Sequence, residues 1–153
     1  SQREIFRRRV FSGEAMMSVW HGEFGLPTPD MSPNWLAPVS GEQLQWSQWG
    51  LYFESKGQRG QPPALPAARR LVELYRRWLV SMDRAERARI WEEMLEINAE
   101  EVFTIGILGG SLQPVVIANG LRGIPEKAVY AWDPGAHFGY LSPDTAYWEG
   151  GRR

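Results

Sequence analysis

Two consecutive amphipathic stretches, at residues 65–82 and 83–102, constrain the fold more than any other feature of this sequence. In the first stretch, large apolar residues recur at the spacing of one helix face and arginines fill the other positions. The apolar set is Leu71, Leu74, Tyr75, Trp78, Leu79 and Met82. Pro66 suits the first turn, where its missing N–H is not needed. The pattern predicts a helix over residues 65–82.

The second stretch carries its own start signal. Asp83 is followed three residues later by Glu86, which is the spacing of a capping box. Apolar residues then recur along an expected inner face: Trp91, Met94, Leu95 and Val102. We therefore expect the two helices to form a hairpin, with their Arg and Glu side chains on a solvated outer face.

Short apolar runs on both sides of the hairpin are typical of strands. Residues 15–20 are apolar apart from Ser18, and the glycines and prolines of residues 22–29 forbid a regular continuation. Residues 102–108, 114–118 and 129–132 also predict strands, separated by turn-forming glycines.

The rest of the first 64 residues predicts a helix and a long connection. Residues 3–11 suit a short amphipathic helix. Residues 31–64 are rich in Pro, Gly, Gln and Trp without a period, and predict a long irregular connection whose Trp residues need a surface to cover.

Composition excludes several classes of function. The length of 153 residues fits one domain with a core, and a formal charge of -1 gives no general attraction to polyanions, so we expect no nucleic-acid partner. The run Arg7-Arg8-Arg9 is interpreted as a solvated helix face. The chain has no cysteine, which excludes disulfides and thiolate catalysis. His21 and His137 lack ligand spacing, so no metal site or cofactor is predicted.

Trp20 and Glu23 follow the first predicted strand. Ligands of α/β proteins usually bind in the crevice beyond the strand ends, where an aromatic face and a carboxylate would form a small recognition site. A core position for Trp20 and a solvated position for Glu23 are the alternatives. Asp133 and His137 lie in an Asp-Pro-Gly context that indicates a turn first and catalysis second, because no nucleophile is placed near them.

The order of these elements resembles a known family. The apolar run with Trp20, His21 and Glu23, the Pro-rich crossing, the paired helices, the following strands and the segment from Asp133 to Phe138 are similar to the C-terminal portion of family 5 extracellular solute-binding proteins. These are the dipeptide, oligopeptide and nickel-type receptors of ABC importers. The resemblance covers nearly all of this chain and only the last part of a full-length receptor.

The resemblance implies an α/β fold, namely the C-terminal part of a two-lobed, type II-like periplasmic binding protein. Residues 1–30 would then supply the helix, strand and crossing loop of the ligand lobe, residues 31–64 the connection, and residues 65–153 the hairpin and strands. Ser1 is not an initiator Met and no signal segment follows it, so we expect a C-terminal fragment. The expected location is periplasmic.

The resemblance also implies the site. Main-chain groups of Val19 and His21 would pair with a bound peptide as an added strand, and Glu23 would hold the peptide ammonium. Trp20 matches the residue that the family has at its position. The family usually has Asp at the acidic position. Because Glu23 is one methylene longer, and because the chain is rich in Trp, the ligand class stays open between a small peptide and an oligosaccharide. The implied partner is the membrane permease of an ABC importer, and no enzyme activity is expected.

Two functions of other classes remain as alternatives. A glycoside hydrolase would use two of Glu14, Glu23 and Asp30 beside Trp20, with carboxyl groups about 5–9.5 Å apart. A structural module would pack its Trp-rich connection against a partner. For an isolated fragment we also expect self-association through exposed apolar surface.

Overall fold

The computed structural model describes residues 2–20, 29, 31–107, 114–127 and 144–150. These residues fall into two compact units, the first holding residues up to 105 and the second the described residues from 106 onward. The first unit contains α1 (Gln2–Phe11), a short 3-10 helix (Pro33–Leu36), α2 (Ser47–Glu54), α3 (Pro66–Val80) and α4 (Arg84–Glu101). The second contains a ribbon of β1 (Leu121–Arg122) and β2 (Tyr147–Trp148).

The predicted hairpin of α3 and α4 is confirmed, but two residues of the predicted apolar face do not belong to the core. Leu79 is about half exposed, and Met82 lies beyond the end of α3 and is exposed. Pro66 occupies the first turn of α3, and the Asp83 side chain accepts a hydrogen bond from the Ala85 N–H at 2.8 Å, so it caps α4. The two helices pack along most of their length, and an ion pair between Arg70 and Glu93 joins them at 2.7 Å. The amphipathic periodicity of the sequence therefore identified the central element of the fold.

The hydrophobic core lies between this hairpin and residues 36–53. Its buried members are Ala37, Val39, Trp46, Leu71, Val72, Leu74, Trp78, Ile90 and Met94. The Trp46 ring meets the edge of Phe103 at 5.1 Å between centroids, and Phe53 meets Tyr75 at 5.9 Å. Aromatic residues of the Trp-rich segment thus pack against α3 and against Phe103, which follows α4.

The predicted irregular connection at residues 31–64 contains two short helices that the sequence analysis did not predict, the 3-10 helix and α2. The segment also supplies three of the buried core residues: Ala37, Val39 and Trp46. The surface that the Trp residues were expected to cover is the α3–α4 hairpin of the same unit. Closely spaced Gln, Gly and Trp residues obscured the helical period, since α2 is only eight residues long.

Three of the predicted strands are not formed in the described residues. Residues 15–20, 103–107 and 114–118 have no regular secondary structure. Most of their large apolar side chains are exposed, namely Met16, Met17, Val19, Ile105, Ile107, Val115, Val116 and Ile117. A strand needs a neighbouring chain to take up its main-chain N–H and C=O groups, and these segments have no such neighbour in the described residues. Residues 129–132, Asp133 and His137 lie outside the described residues.

Two expectations about the inner face of α4 were wrong. Leu95 was predicted there, but it is 43% exposed. Val102 was predicted on the inner face, but it ends the helix in the left-handed conformation, with φ of 50°, and 56% of its surface is exposed. A left-handed residue after the last turn terminates a helix. The described residues are mostly helical, and no two-lobed α/β arrangement is seen among them, so that fold class stays a prediction.

The second unit contains a small two-stranded ribbon, and the residue after its first strand must be glycine. Leu121 pairs with Trp148 and Arg122 with Tyr147 in antiparallel register, and Arg122 forms an ion pair with Glu149. Gly123 has φ of 83°, and a Cβ there would lie 2.3 Å from the Thr145 carbonyl oxygen. Only glycine fits this position, because both the backbone conformation and the close approach exclude a side chain.

The Glu86 carboxylate links the end of α3 to the start of α4. It accepts hydrogen bonds from the Ser81 hydroxyl at 2.7 Å and from Arg77 at 3.1 Å. The Ser81 hydroxyl, followed by Arg77, lowers the pKa of Glu86 below its ordinary value of 4.5. These contacts favour the ionised form of Glu86.

We expect Glu86→Gln to change how stability depends on pH. A depressed carboxyl pKa stabilises the folded state above the unfolded pKa, and this contribution is lost as pH falls through the folded value. The variant should be less stable than the wild type near neutral pH, and the difference should shrink as pH falls below 4.5. Urea unfolding across this range checks the result. A difference that stayed constant down to low pH would contradict the assignment.

Candidate functional site

The segment that carries the predicted ligand-binding residues begins where α1 ends. Gly13 has φ of 81°, and the Glu14 N–H donates to the Arg9 carbonyl at 3.0 Å. Glycine reverses the chain there at no steric cost, which ends the helix. Residues 15–20 then continue without regular structure.

Trp20 is held against α1. Its ring stacks on Phe6 with centroids 5.5 Å apart and an angle of 12° between the planes, and the Arg3 guanidinium lies 5.3 Å from the ring centroid. Phe6 and Arg3 are three residues apart, so they share one face of α1. Trp20 is half-buried as a result. It is neither a core residue nor a fully open aromatic platform, because its ring already has two partners.

Val19 lies beside this anchor and is open to solvent. Its exposed fraction is 73%, and Met17 is exposed to 82%. Within the described part of the chain, the main chain of residues 16–19 takes part in no hydrogen bond. The segment therefore presents unpaired N–H and C=O groups directly before a fixed Trp20. Such groups are what an added strand would pair with.

Two of the four predicted site residues, Val19 and Trp20, belong to the described part of the chain, whereas His21 and Glu23 lie outside it. Of the three carboxylates considered for a hydrolase, Glu14 is exposed and Asp30, like Glu23, is not described. Among the described residues, no group of His, Asp or Glu side chains is arranged to hold a metal ion.

A second feature, which the sequence analysis missed, is a cleft of about 220 Å³ between α1 and α2. It is lined by Val10, Gly13, Ala15, Leu44, Gln45, Trp46, Ser47, Gln48, Trp49 and Gln61. The Gln48 amide donates to the Phe11 carbonyl, and the Ser47 hydroxyl lies 3.4 Å from the Val10 carbonyl, so α2 holds the end of α1. No lining residue is charged. The Gln and Trp content of residues 43–49 was the signal for this cleft.

Another depression, of about 350 Å³, is lined by charged side chains between α3 and α4. Its residues are Arg77, Glu86, Arg89, Ile90 and Glu93. Glu86 is paired with Arg77 and Glu93 with Arg70, so these carboxylates already have cationic partners. The depression is therefore explained by the ion pairs that join the two helices.

Comparison with known proteins does not assign the chain to a family. No protein-family model matches the sequence, and neither a curated protein nor a solved structure gives a significant match. Among the described helices, none is both long enough and apolar enough to cross a membrane.

Proposed function

We propose that this chain belongs to the substrate-binding component of an ABC importer and takes part in binding a peptide-like solute. The supporting observation is the main chain of residues 16–19, next to Trp20, which makes no hydrogen bond among the described residues. A receptor that accepts many peptide sequences must rely on groups common to all peptides. Exposed main-chain N–H and C=O groups satisfy that requirement.

The contacts of Trp20 give this segment a fixed end. Stacking on Phe6 and the nearby Arg3 guanidinium hold Trp20 to a helix, so Val19 is attached to a positioned residue. A partly fixed segment loses less conformational entropy when a ligand binds. In the proposal Trp20 orients the segment, and residues 17–19 form the pairing edge.

Glu23 has the role of ammonium ligand in this proposal. A charge-assisted hydrogen bond of this type contributes roughly 1.5–3 kcal/mol. That energy is sufficient to set the register of a peptide on the main-chain edge. His21 would supply a further pair of main-chain groups between Val19 and Glu23.

Exposed apolar segments within each unit also support a binding component built from more polypeptide. In the first unit, Met16, Met17 and Val19 are exposed, and in the second unit the same is true of Val115 and Val116. Contiguous apolar surface of this kind usually marks a site that another surface covers. In this proposal, each of these segments is a strand that pairs with further polypeptide of the binding component.

An oligosaccharide is the second candidate ligand, and the uncharged cleft between α1 and α2 favours it. The exposed Gln45 and Gln61 supply amide donors and acceptors, and the half-buried Trp49 supplies aromatic surface. Sites for neutral ligands combine apolar walls with a few placed polar groups. Ala15, at the start of the exposed segment, also lines this cleft.

Substitution at Val19 tests the peptide proposal. We expect Val19→Pro to weaken binding of a short-peptide pool by about tenfold, because proline has no N–H to donate to an added strand. Val19→Ala is the matched control, since it keeps the N–H and removes only an exposed side chain. Calorimetric titration of the full-length gene product measures both variants. Equal affinities for the two variants would contradict main-chain pairing at this residue.

Glu23→Gln and Gln45→Ala separate the two ligand classes. Loss of peptide binding in Glu23→Gln supports capture of the ammonium group. Binding of an oligosaccharide pool that is lost only in Gln45→Ala, a change at an exposed residue of the uncharged cleft, keeps the receptor proposal and changes its ligand. No heat with either pool would argue against a peptide or sugar receptor.

A further inference from the structure

The end of the α3–α4 hairpin exposes three large apolar side chains within four positions. Leu79 is exposed to 51%, Val80 to 80% and Met82 to 94%, while Ser81 between them is buried. Single exposed apolar residues are normal on a protein surface, but adjacent ones indicate a contact with another surface. We refer to residues 76–89 as the hairpin tip.

The hairpin tip is strongly basic in a chain that is close to neutral. Residues 76–89 contain five arginines against one aspartate and one glutamate, which gives a formal charge of +3, whereas the whole chain carries -1. Both acids are engaged, Asp83 in capping α4 and Glu86 with Arg77 and Ser81. Arg76, Arg84 and Arg89 are exposed. An anionic surface would therefore be attracted to the arginines that flank the apolar side chains of the tip.

The size of this surface favours a lipid membrane over a protein partner. A stable protein interface buries roughly 800 Å² on each side and involves about 20–30 residues of each partner. The hairpin tip offers three apolar side chains at the end of two helices. A peripheral membrane contact needs only a few apolar side chains at the acyl boundary, with basic residues at the anionic headgroups. Long arginine side chains reach headgroups while their stems stay in apolar surroundings.

We propose that the hairpin tip is a peripheral docking site for membranes containing anionic phospholipids. Leu79, Val80 and Met82 enter the interface between headgroups and acyl chains, and the exposed arginines contact lipid phosphates. This inference does not depend on the proposed ligand, because no residue of the hairpin tip belongs to the segment around Val19. Its consequence would be to hold the protein close to a membrane.

The experiment measures binding of the full-length protein to phosphatidylcholine vesicles with and without phosphatidylglycerol, in the absence of peptide. We expect binding only to the anionic vesicles and a decrease as salt is added. The double substitution Val80→Ser and Met82→Ser should lower the partition coefficient by about tenfold or more, because both apolar side chains are removed. Arg84→Gln combined with Arg89→Gln should lower it by a similar factor, at about fivefold for each charge.

Two controls keep the result interpretable. Leu95→Ser changes an exposed apolar residue of α4 outside the tip and should leave vesicle binding unchanged. Circular dichroism confirms that the tip variants remain folded, as expected for exposed positions. Equal binding to both types of vesicle, or a folded tip variant that binds as well as the wild type, would overturn the proposal. Binding to an acidic protein surface with no vesicle binding would replace the lipid with a protein partner.

Discussion

Leu74→Ala is expected to lower the free energy of unfolding by roughly 2–5 kcal/mol, the range observed for truncating a buried leucine. Leu74 has no exposed surface and lies in α3 at the centre of the core. Its replacement removes apolar contacts and leaves a cavity that the surrounding core residues can fill only in part. Globular domains have about 5–15 kcal/mol of total stability, so this loss is a large fraction.

Leu79→Ala is the matched control on the same helix. Leu79 lies five residues further along α3 with about half of its surface exposed, so less of its side chain is buried than that of Leu74. We expect its loss to cost far less than that of Leu74. Urea unfolding of both variants, followed by tryptophan fluorescence, provides the comparison. Similar destabilisation by the two substitutions would contradict the burial pattern assigned to α3.

Gln43→Ala is expected to cost roughly 2–4 kcal/mol, since buried polar groups left unpaired cost about 1–3 kcal/mol each. The Gln43 side chain is 1% exposed and connects three groups. Its carbonyl oxygen accepts from the Trp46 indole at 2.7 Å and from the Ser40 N–H at 3.2 Å, and its amide donates to the Asn34 carbonyl at 2.5 Å. Trp46 is itself buried, so its indole N–H would lose its partner away from solvent.

Gln45→Ala tests whether this effect belongs to the position or to the residue type. Gln45 is two residues away, is exposed and lines the cleft between α1 and α2. We expect its substitution to change stability very little. A Gln43 variant as stable as the Gln45 variant would show that the described hydrogen bonds do not order residues 34–46. Thermal unfolding of the two variants side by side makes the comparison.

The sequence predicted the α3–α4 hairpin because both of its signals are local. Three- and four-residue spacing places Leu71, Leu74 and Trp78 on one face, and all three are buried. Asp83 caps α4 through a contact two residues away. Neither signal depends on the rest of the chain, which is why both could be identified without a structure.

The connection at residues 31–64 could not be predicted in the same way because its order depends on distant contacts. Gln43 is ordered by Asn34 and Trp46, and the Asn98 amide of α4 donates to the Leu36 carbonyl across 62 positions of sequence. Pro, Gly and Gln content indicates a loop when only local propensity is considered. Burial against the hairpin outweighs that propensity.

The strand predictions illustrate a different limit. Residues 15–20 and 114–118 have the apolar composition of strands, but composition does not supply a neighbouring chain. Trp20 was considered as a core residue or a recognition residue. In the structure it is half-buried and packs against α1, where its ring stacks on Phe6. The sequence contained both partners but no periodic signal that would pair residue 6 with residue 20.

Amide hydrogen exchange of residues 16–20, with and without a pool of short peptides, tests the central claim most directly. The main chain of residues 16–19 makes no hydrogen bond in the part of the chain that the structure describes, so its amides should exchange quickly in the free protein. If this segment pairs with a peptide as an added strand, amides that donate to the ligand should become protected at saturating peptide, and Val19→Pro should reduce that protection. Unchanged exchange of residues 16–20 in a protein saturated with peptide would contradict the proposed role of this segment.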